Sequence, residues 1–216
     1  MGKSIYSLVL SDEVVEEVDM MAQSSGLSRS AMINSILAER VACTTAEMRL
    51  RDILQAAEQA MNSCFALSQS TASTLSARTS LKYRYKPTVH YSVEFFPRDG
   101  RRAGEFRVSS RTRNEELIGG LNRFYLFWVS LEQKYISSHL KNELAFSAVD
   151  GKFTRELDLP GDAISDNALG KAVAEYVGMF DGTMKAYFSG LPDEAIAHCY
   201  AENYYREAIA RQSIIL

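Results

Sequence analysis

Between Ser4 and Leu10 the chain alternates, with Tyr6, Leu8 and Leu10 on one face and Ile5, Ser7 and Val9 on the other. A period of two is that of a β-strand with one face suited to burial. Ser11 follows at a helix N-cap position, with Asp12 and Glu13 in the first turn, where carboxylates suit the positive end of the helix dipole. Val14, Val15, Val18, Met21 and Ala22 then recur at helical spacing as far as Gly26, a C-cap residue. Ser28 is a second N-cap, and Ala31, Met32, Ile36, Leu37 and Val41 predict a second amphipathic helix. One short strand and two helices cannot close a core alone. The strand has no partner nearby in sequence, so it pairs with another chain or stays an exposed edge.

Leu50, Leu54, Ala57, Met61 and Cys64 are spaced 4, 3, 4 and 3 residues apart, and Ser68, Thr71 and Leu75 continue that seam more weakly. With neither Gly nor Pro between Thr45 and Leu81, the pattern predicts one long helix over residues 45–81, its Ser/Thr-rich latter part, SQSTASTLSARTS, either continuous or frayed and broken. Residues 88–97 and 104–110 alternate and predict a hairpin whose loop, RDGRRA, is an extended basic tip. Leu117, Leu121, Phe124, Trp128, Leu131 and Tyr135 predict a helix over 112–140, which Gly119–Gly120 either interrupts or opens to close backbone approach. A second hairpin, 143–149 and 152–158, turns at Asp150-Gly151, and two helices over 165–189 and 192–213 complete the chain. This order implies an antiparallel four-stranded sheet with helices on one face. The predicted class is α+β in three parts: residues 1–44, a helical connector over 45–82, and a C-terminal domain over 83–216.

The segments SIYSLVL, SDEVVEEVDMMAQSSG and above all GLSRSAMINSILAERV resemble the ribbon-helix-helix family of Arc, MetJ and CopG type repressors over roughly residues 3–44. In that family two chains pair their strands into an antiparallel ribbon that enters the major groove of DNA. The resemblance therefore implies an obligate homodimer with Tyr6, Leu8 and Leu10 in the shared core. It implies that Ile5, Ser7 and Val9 face the bases, with Lys3 near the ribbon end. It also implies that Ser28, Arg29 and Ser30 hold a phosphate at the second helix N-terminus, where free N–H groups and the dipole favour an anion. The outward strand face departs from the family pattern. Base edges are read by hydrogen bonds, yet only Ser7 can make one, and Ile5 and Val9 can at most touch thymine methyl groups.

Charge sharpens this picture. The net charge is -3, but residues 78–113 hold 10 basic and 3 acidic side chains, a local +7 of the kind that attracts polyanions. Arg98, Arg101, Arg102 and Arg107 of the hairpin are candidates for a second nucleic-acid contact, and a solvated hairpin paired with acidic neighbours is the alternative. Three cysteines, Cys43, Cys64 and Cys199, lie far apart without a CxxC pair, which points to a reducing compartment. No apolar run approaches the roughly 20 residues that span a bilayer, so a cytoplasmic protein is expected.

No nucleotide-binding, hydrolase or zinc-protease motif occurs. His90, His139 and His198 are scattered, and adjacent His198 and Cys199 would point about 100° apart on a helix. The expectation is therefore no catalysis, no cofactor and no metal. Tyr187, Tyr200, Tyr204, Tyr205, Phe180 and Phe188 mark an aromatic helical pair, either as core or as the lining of an effector or partner surface. The expected function is a dimeric, sequence-specific binder of double-stranded DNA, a transcriptional repressor or a plasmid or phage accessory factor of a mobile element. The alternative is an assembly module in which the ribbon only dimerises and the C-terminal domain takes a protein partner.

Overall fold

The computed structural model describes the chain apart from residues 1–4, 42–45, 62–64, 69–72, 85, 99–100, 141–142, 159–163 and 213. The chain divides into two compact units, Met1–Arg51 and Asp52–Leu216.

In the first unit, helix α1 (Asp12–Ser24) and helix α2 (Arg29–Arg40) stand where the apolar spacing places them. Gly26 at φ +65° lets Leu27 N–H donate to the Ala22 carbonyl at 2.9 Å, the bond that closes a Schellman turn. The strand expected over 4–10 is not formed: residues 5–10 join no ladder, and the ribbon-helix-helix is not shown. A lone segment has nothing to pair with when the described residues of the unit hold no strand. Ser11 takes the N-cap place with extended backbone, but its side chain caps no helix N–H.

Helix α3 (Ala46–Ala60) spans the boundary between the units. The single helix expected over 45–81 stops there, because past Met61 the apolar positions change period. Strand β1 (Ala66–Leu67) and strand β2 (Thr74–Ser80) replace its second half, with Leu75, Ala77 and Thr79 buried at every second position. Cys64 and Thr71, assigned to the helical seam, lie outside the described residues.

Strands β3 (Thr88–Arg98) and β4 (Arg101–Ser110) form the expected hairpin. Its extended basic tip is a correction: Arg98 pairs with Arg101, so both strands run through most of the presumed loop. Helix α4 (Glu115–Tyr135) passes unbroken through Gly119–Gly120, and a Cβ at Gly120 would meet the Phe188 ring at 3.4 Å. Strands β5 (Phe146–Val149) and β6 (Lys152–Asp158) turn at Asp150 and Gly151, both at positive φ as a two-residue hairpin turn of this hand requires. Helix α4 pins that turn: Gly151 N–H donates to Asn122 Oδ1 at 2.9 Å, and the Tyr125 hydroxyl donates to the Gly151 carbonyl at 3.2 Å. Helices α5 (Asp166–Gly190) and α6 (Glu194–Ile209) follow.

The sheet has six antiparallel strands, not four, in the order β1-β2-β3-β4-β6-β5. One face is apolar. Val89, Tyr91, Val93 and Phe95 of β3, Phe106 and Val108 of β4, and Phe153 and Leu157 of β6 are buried. The intervening residues, including His90, Ser92 and Glu94, form a more open polar face.

Two glycines of α5 differ sharply in what surrounds them. A Cβ at Gly170 would collide with the Ile53 carbonyl oxygen and lie 2.6 Å from Ala56 Cβ, whereas one at Gly178 would meet nothing within 4 Å. Gly170→Ala is expected to destabilise by about 1–3 kcal/mol through overpacking. Gly178→Ala is expected to stabilise by about 1 kcal/mol through helix propensity. Urea unfolding of the two variants checks both signs.

Candidate nucleic-acid interface

The N-terminal candidates share one unit and one chemistry. Ile5, Tyr6, Ser7, Leu8, Val9 and Leu10 are all exposed in the single chain, Ile5 and Val9 fully and Tyr6, Leu8 and Leu10 less so, down to 39% at Leu10. Lys3 lies outside the described residues. Behind this segment α1 and α2 bury a small cluster, Val18, Ala22 and Met32, flanked by Leu27, Ile33 and Ile36.

At the start of α2 the Ser28 hydroxyl accepts from the Ala31 N–H at 3.2 Å, the cap its sequence position predicts. Arg29 turns toward α1, where its Nε donates to Asp19 Oδ1 at 2.6 Å and its Nη2 bonds the other carboxylate oxygen. The guanidinium hydrogen-bonded to Asp19 holds that carboxyl below its ordinary range, and Asp19 in turn raises Arg29. Ser30 is exposed in the first helical turn. Of the expected phosphate-holding trio, then, one side chain caps the helix through the Ala31 N–H, one is paired with a carboxylate, and one, Ser30, is exposed.

The second set of candidates lies on the sheet. The backbones of Arg98, Arg101 and Arg102 sit at the β3–β4 tip, and their side chains lie outside the described residues. Arg107 is on the open face, between two glutamates. Its Nη1 donates to Glu94 Oε2 at 2.8 Å and its Nε pairs with Glu105. Cross-strand register aligns this face into rows: Arg78, His90, Ser109 and Lys152; then Ser76, Ser92, Arg107 and Thr154; then Thr74, Glu94, Glu105 and Glu156. Only the first row gathers cations without carboxylates. Neither its membership nor its order is visible from the sequence, because it depends on the pairing of four strands.

The sequence also hid two buried polar clusters. Glu132 of α4, wholly inside, accepts from Arg155 Nε and from the Tyr176 hydroxyl, each at 2.9 Å. Arg155 Nη2 donates to the Leu216 carbonyl at 2.8 Å. Burial pushes the Glu132 carboxyl up against the pull of Arg155. On α5, Asp181 accepts from the hydroxyls of Thr79 at 2.7 Å and Tyr91 at 2.8 Å, and from Lys185 Nζ at 2.6 Å. Burial and the neighbouring Asp181 drive the Tyr91 phenol far above its usual value. In both clusters every carboxylate oxygen is taken, which is the condition for burying such groups. A polar side chain at a buried phase of the pattern (Arg155 between Phe153 and Leu157, Thr79 after Leu75 and Ala77) was the available signal.

Of the aromatic set, Phe180, Tyr187, Phe188 and Tyr205 are core, whereas Tyr200 and Tyr204 of α6 are exposed. Among the described residues no group of three or more His, Cys, Asp or Glu side chains is placed to hold a metal ion. No family model matches the chain, and no match was found among curated proteins or solved structures.

Replacing Glu132 by Ala leaves the Arg155 guanidinium buried without its carboxylate, a change that typically costs about 3–5 kcal/mol. Glu132→Gln, which keeps a carbonyl acceptor, is expected to lose less. Chemical denaturation of both variants measures the difference.

Proposed function

We propose that this chain is a dimeric DNA-binding protein in which residues 4–10 pair with the same segment of a second copy. The resulting ribbon fills the major groove of a specific site, as in a transcriptional regulator or an accessory factor of a mobile element. One observation carries the reading. An alternating apolar segment lies exposed, directly before two helices that among the described residues bury only Val18, Ala22, Met32 and Ala38. So small a core cannot stabilise a unit of this length, and pairing the exposed faces of two copies supplies the missing burial. On this reading Tyr6, Leu8 and Leu10 turn into the shared core, while Ile5, Ser7 and Val9, with Lys3 nearby, turn to the bases. Arg29 exchanges Asp19 for a phosphate oxygen. That exchange is inexpensive because the pair is exposed, its side chains 57% and 43% accessible.

A second reading, a dimerisation device that presents a protein-binding surface, draws on two specific features. Ile5 and Val9 offer no hydrogen bond to a base edge, and Asp19 places a negative charge beside the α2 N-terminus.

Leu8 is 61% exposed in the single chain, so Leu8→Asp removes little packing there. It is expected to convert a dimer to a monomer by light-scattering mass, and an unchanged mass would reject the shared ribbon. For DNA, the protein is incubated with a randomised duplex library and the retained fraction sequenced. An enriched near-palindromic site whose affinity falls about tenfold in Arg29→Ala, with the dimer mass unchanged, supports the regulator; the loss corresponds to one charge-assisted phosphate bond. Absence of enrichment supports the second reading.

A further inference from the structure

We infer that the C-terminal unit carries its own contact for the phosphate backbone of duplex DNA: the basic end of the open sheet face, centred on the row Arg78, His90, Ser109 and Lys152. The inference does not rest on the N-terminal ribbon.

Four neighbouring strands contribute one residue each. The register pairs Arg78 with His90, His90 with Ser109 and Ser109 with Lys152, and all four positions alternate with buried neighbours. At about 4.8 Å between strands, Arg78 and Lys152 stand roughly 14 Å apart. That is close to the width of a major groove, about 12 Å, so the two cations can reach phosphates on opposite sides of one groove. His90 and Ser109 supply polar groups between them.

Charge balance singles out this row. Elsewhere on the face Arg107 is held by Glu94 and Glu105, and in the β2–β3 connection Arg84 pairs with Glu116 at 3.0 Å. Among the described residues Arg78 and Lys152 have no carboxylate within ion-pair distance. Exposed Lys82 and Lys86 in the β2–β3 connection, and Arg111 and Arg113 after β4, leave the sheet at this same end. Cations kept free of partners on a folded face cost repulsion, and a polyanion offsets it. The row of Glu94, Glu105 and Glu156 lies two rows away, roughly 13 Å, and bounds the footprint on the other side.

The same face selects duplex over single strands. Unpaired bases need aromatic rings to stack on. Here Tyr91, Phe95, Phe106 and Phe153 turn to the buried face, while Phe96, on the open face, stands beyond the Glu94 row, six residues along β3 from His90. The row Arg78, His90, Ser109 and Lys152 itself offers charge, imidazole and hydroxyl, suited to a phosphate backbone and indifferent to sequence.

The test uses the full chain and a scrambled duplex of about 20 base pairs, followed by anisotropy between about 50 and 200 mM salt. Arg78→Glu/Lys152→Glu is expected to weaken binding at least tenfold at low salt. It is also expected to flatten the slope of log K against log salt by about 2, the loss of two phosphate contacts. Arg78→Gln/Lys152→Gln, folded by circular dichroism, should follow in the same direction by a smaller amount. Lys171→Glu/Arg206→Glu, two exposed helix positions with the same change in net charge, should leave binding nearly unaltered. Equal losses in both Glu pairs, or an unchanged slope in the sheet variants, would overturn the inference. Tighter binding of a single strand of equal length would also overturn it. Arg29→Ala, measured on the same scrambled duplex, reports separately on the N-terminal unit, so either proposal can fail alone.

Discussion

The C-terminal unit is organised around the ring of Phe180, near the middle of α5. It lies 5.0 Å from the ring of Phe106 on β4 and 5.5 Å from that of Phe153 on β6. From α4 it meets Trp128 at 4.6 Å and Phe124 at 5.4 Å, and Tyr91 of β3 stands 6.3 Å away. One side chain thus touches three strands and a second helix, most of them edge to face, the arrangement aromatic quadrupoles favour. Helix α5 is apolar nearly all round because it lies between the sheet and other helices, so its pattern is that of a buried rod, not a surface helix. The buried carboxylate on this helix, Asp181, finds its partners inside, in Thr79, Tyr91 and Lys185.

Those internal bonds add direction to a core that apolar packing alone leaves permissive. Arg155 sits in the apolar row of β6, and its bond to Glu132 fixes that strand against α4 while Tyr176 ties the same carboxylate to α5. Buried ion pairs contribute little net stability over apolar residues of equal volume, since desolvation consumes the Coulombic gain. Their consequence here is geometric: a one-residue slip of β6 would carry Arg155 to the open face and leave Glu132 uncompensated. Asp181 acts likewise on β2 and β3. The register that aligns Arg78 with Lys152 across four strands is therefore held from the opposite side of the sheet.

How much of this was legible follows from how loudly each residue states its phase. Strands β3, β4 and β6 announce themselves, because Val, Tyr and Phe alternate with polar residues, and the Asp150-Gly151 turn fixes the second hairpin. Strand β2 did not. Its buried face is Leu75, Ala77 and Thr79, two of them weakly apolar, and the seam from Leu50 through Met61 carried a helical phase straight into it. With no Gly or Pro between Thr45 and Leu81, only the β-branched content of TASTLSARTS argued for extended chain. The N-terminal site was legible as residue types but not as partners. Asp19, ten positions before Arg29, becomes its neighbour only through the turn at Gly26, and nothing in the helical spacing names it. The basic row was invisible for the same reason, since its four residues lie on four different strands.

A one-sided sheet has a consequence for how such a chain could hold DNA. Because the helices cover only the apolar face, the other is free to carry charges placed for a ligand rather than for the core. On the functional reading proposed above, a dimer brings two such faces together with one ribbon. None of these contacts need be strong. Ribbon strands with Ile5 and Val9 outward give little hydrogen-bonded readout, and a phosphate row gives affinity without sequence. Linked in one dimer, the second contact forms at the effective concentration set by the connection, so the product of two weak contacts can exceed either by orders of magnitude. Specificity then rests on the ribbon alone, and the sheet faces lengthen residence equally at every site. The net acidity of residues 1–52, which opposes phosphate binding by an isolated head, is offset in this arrangement by cations placed elsewhere in the chain.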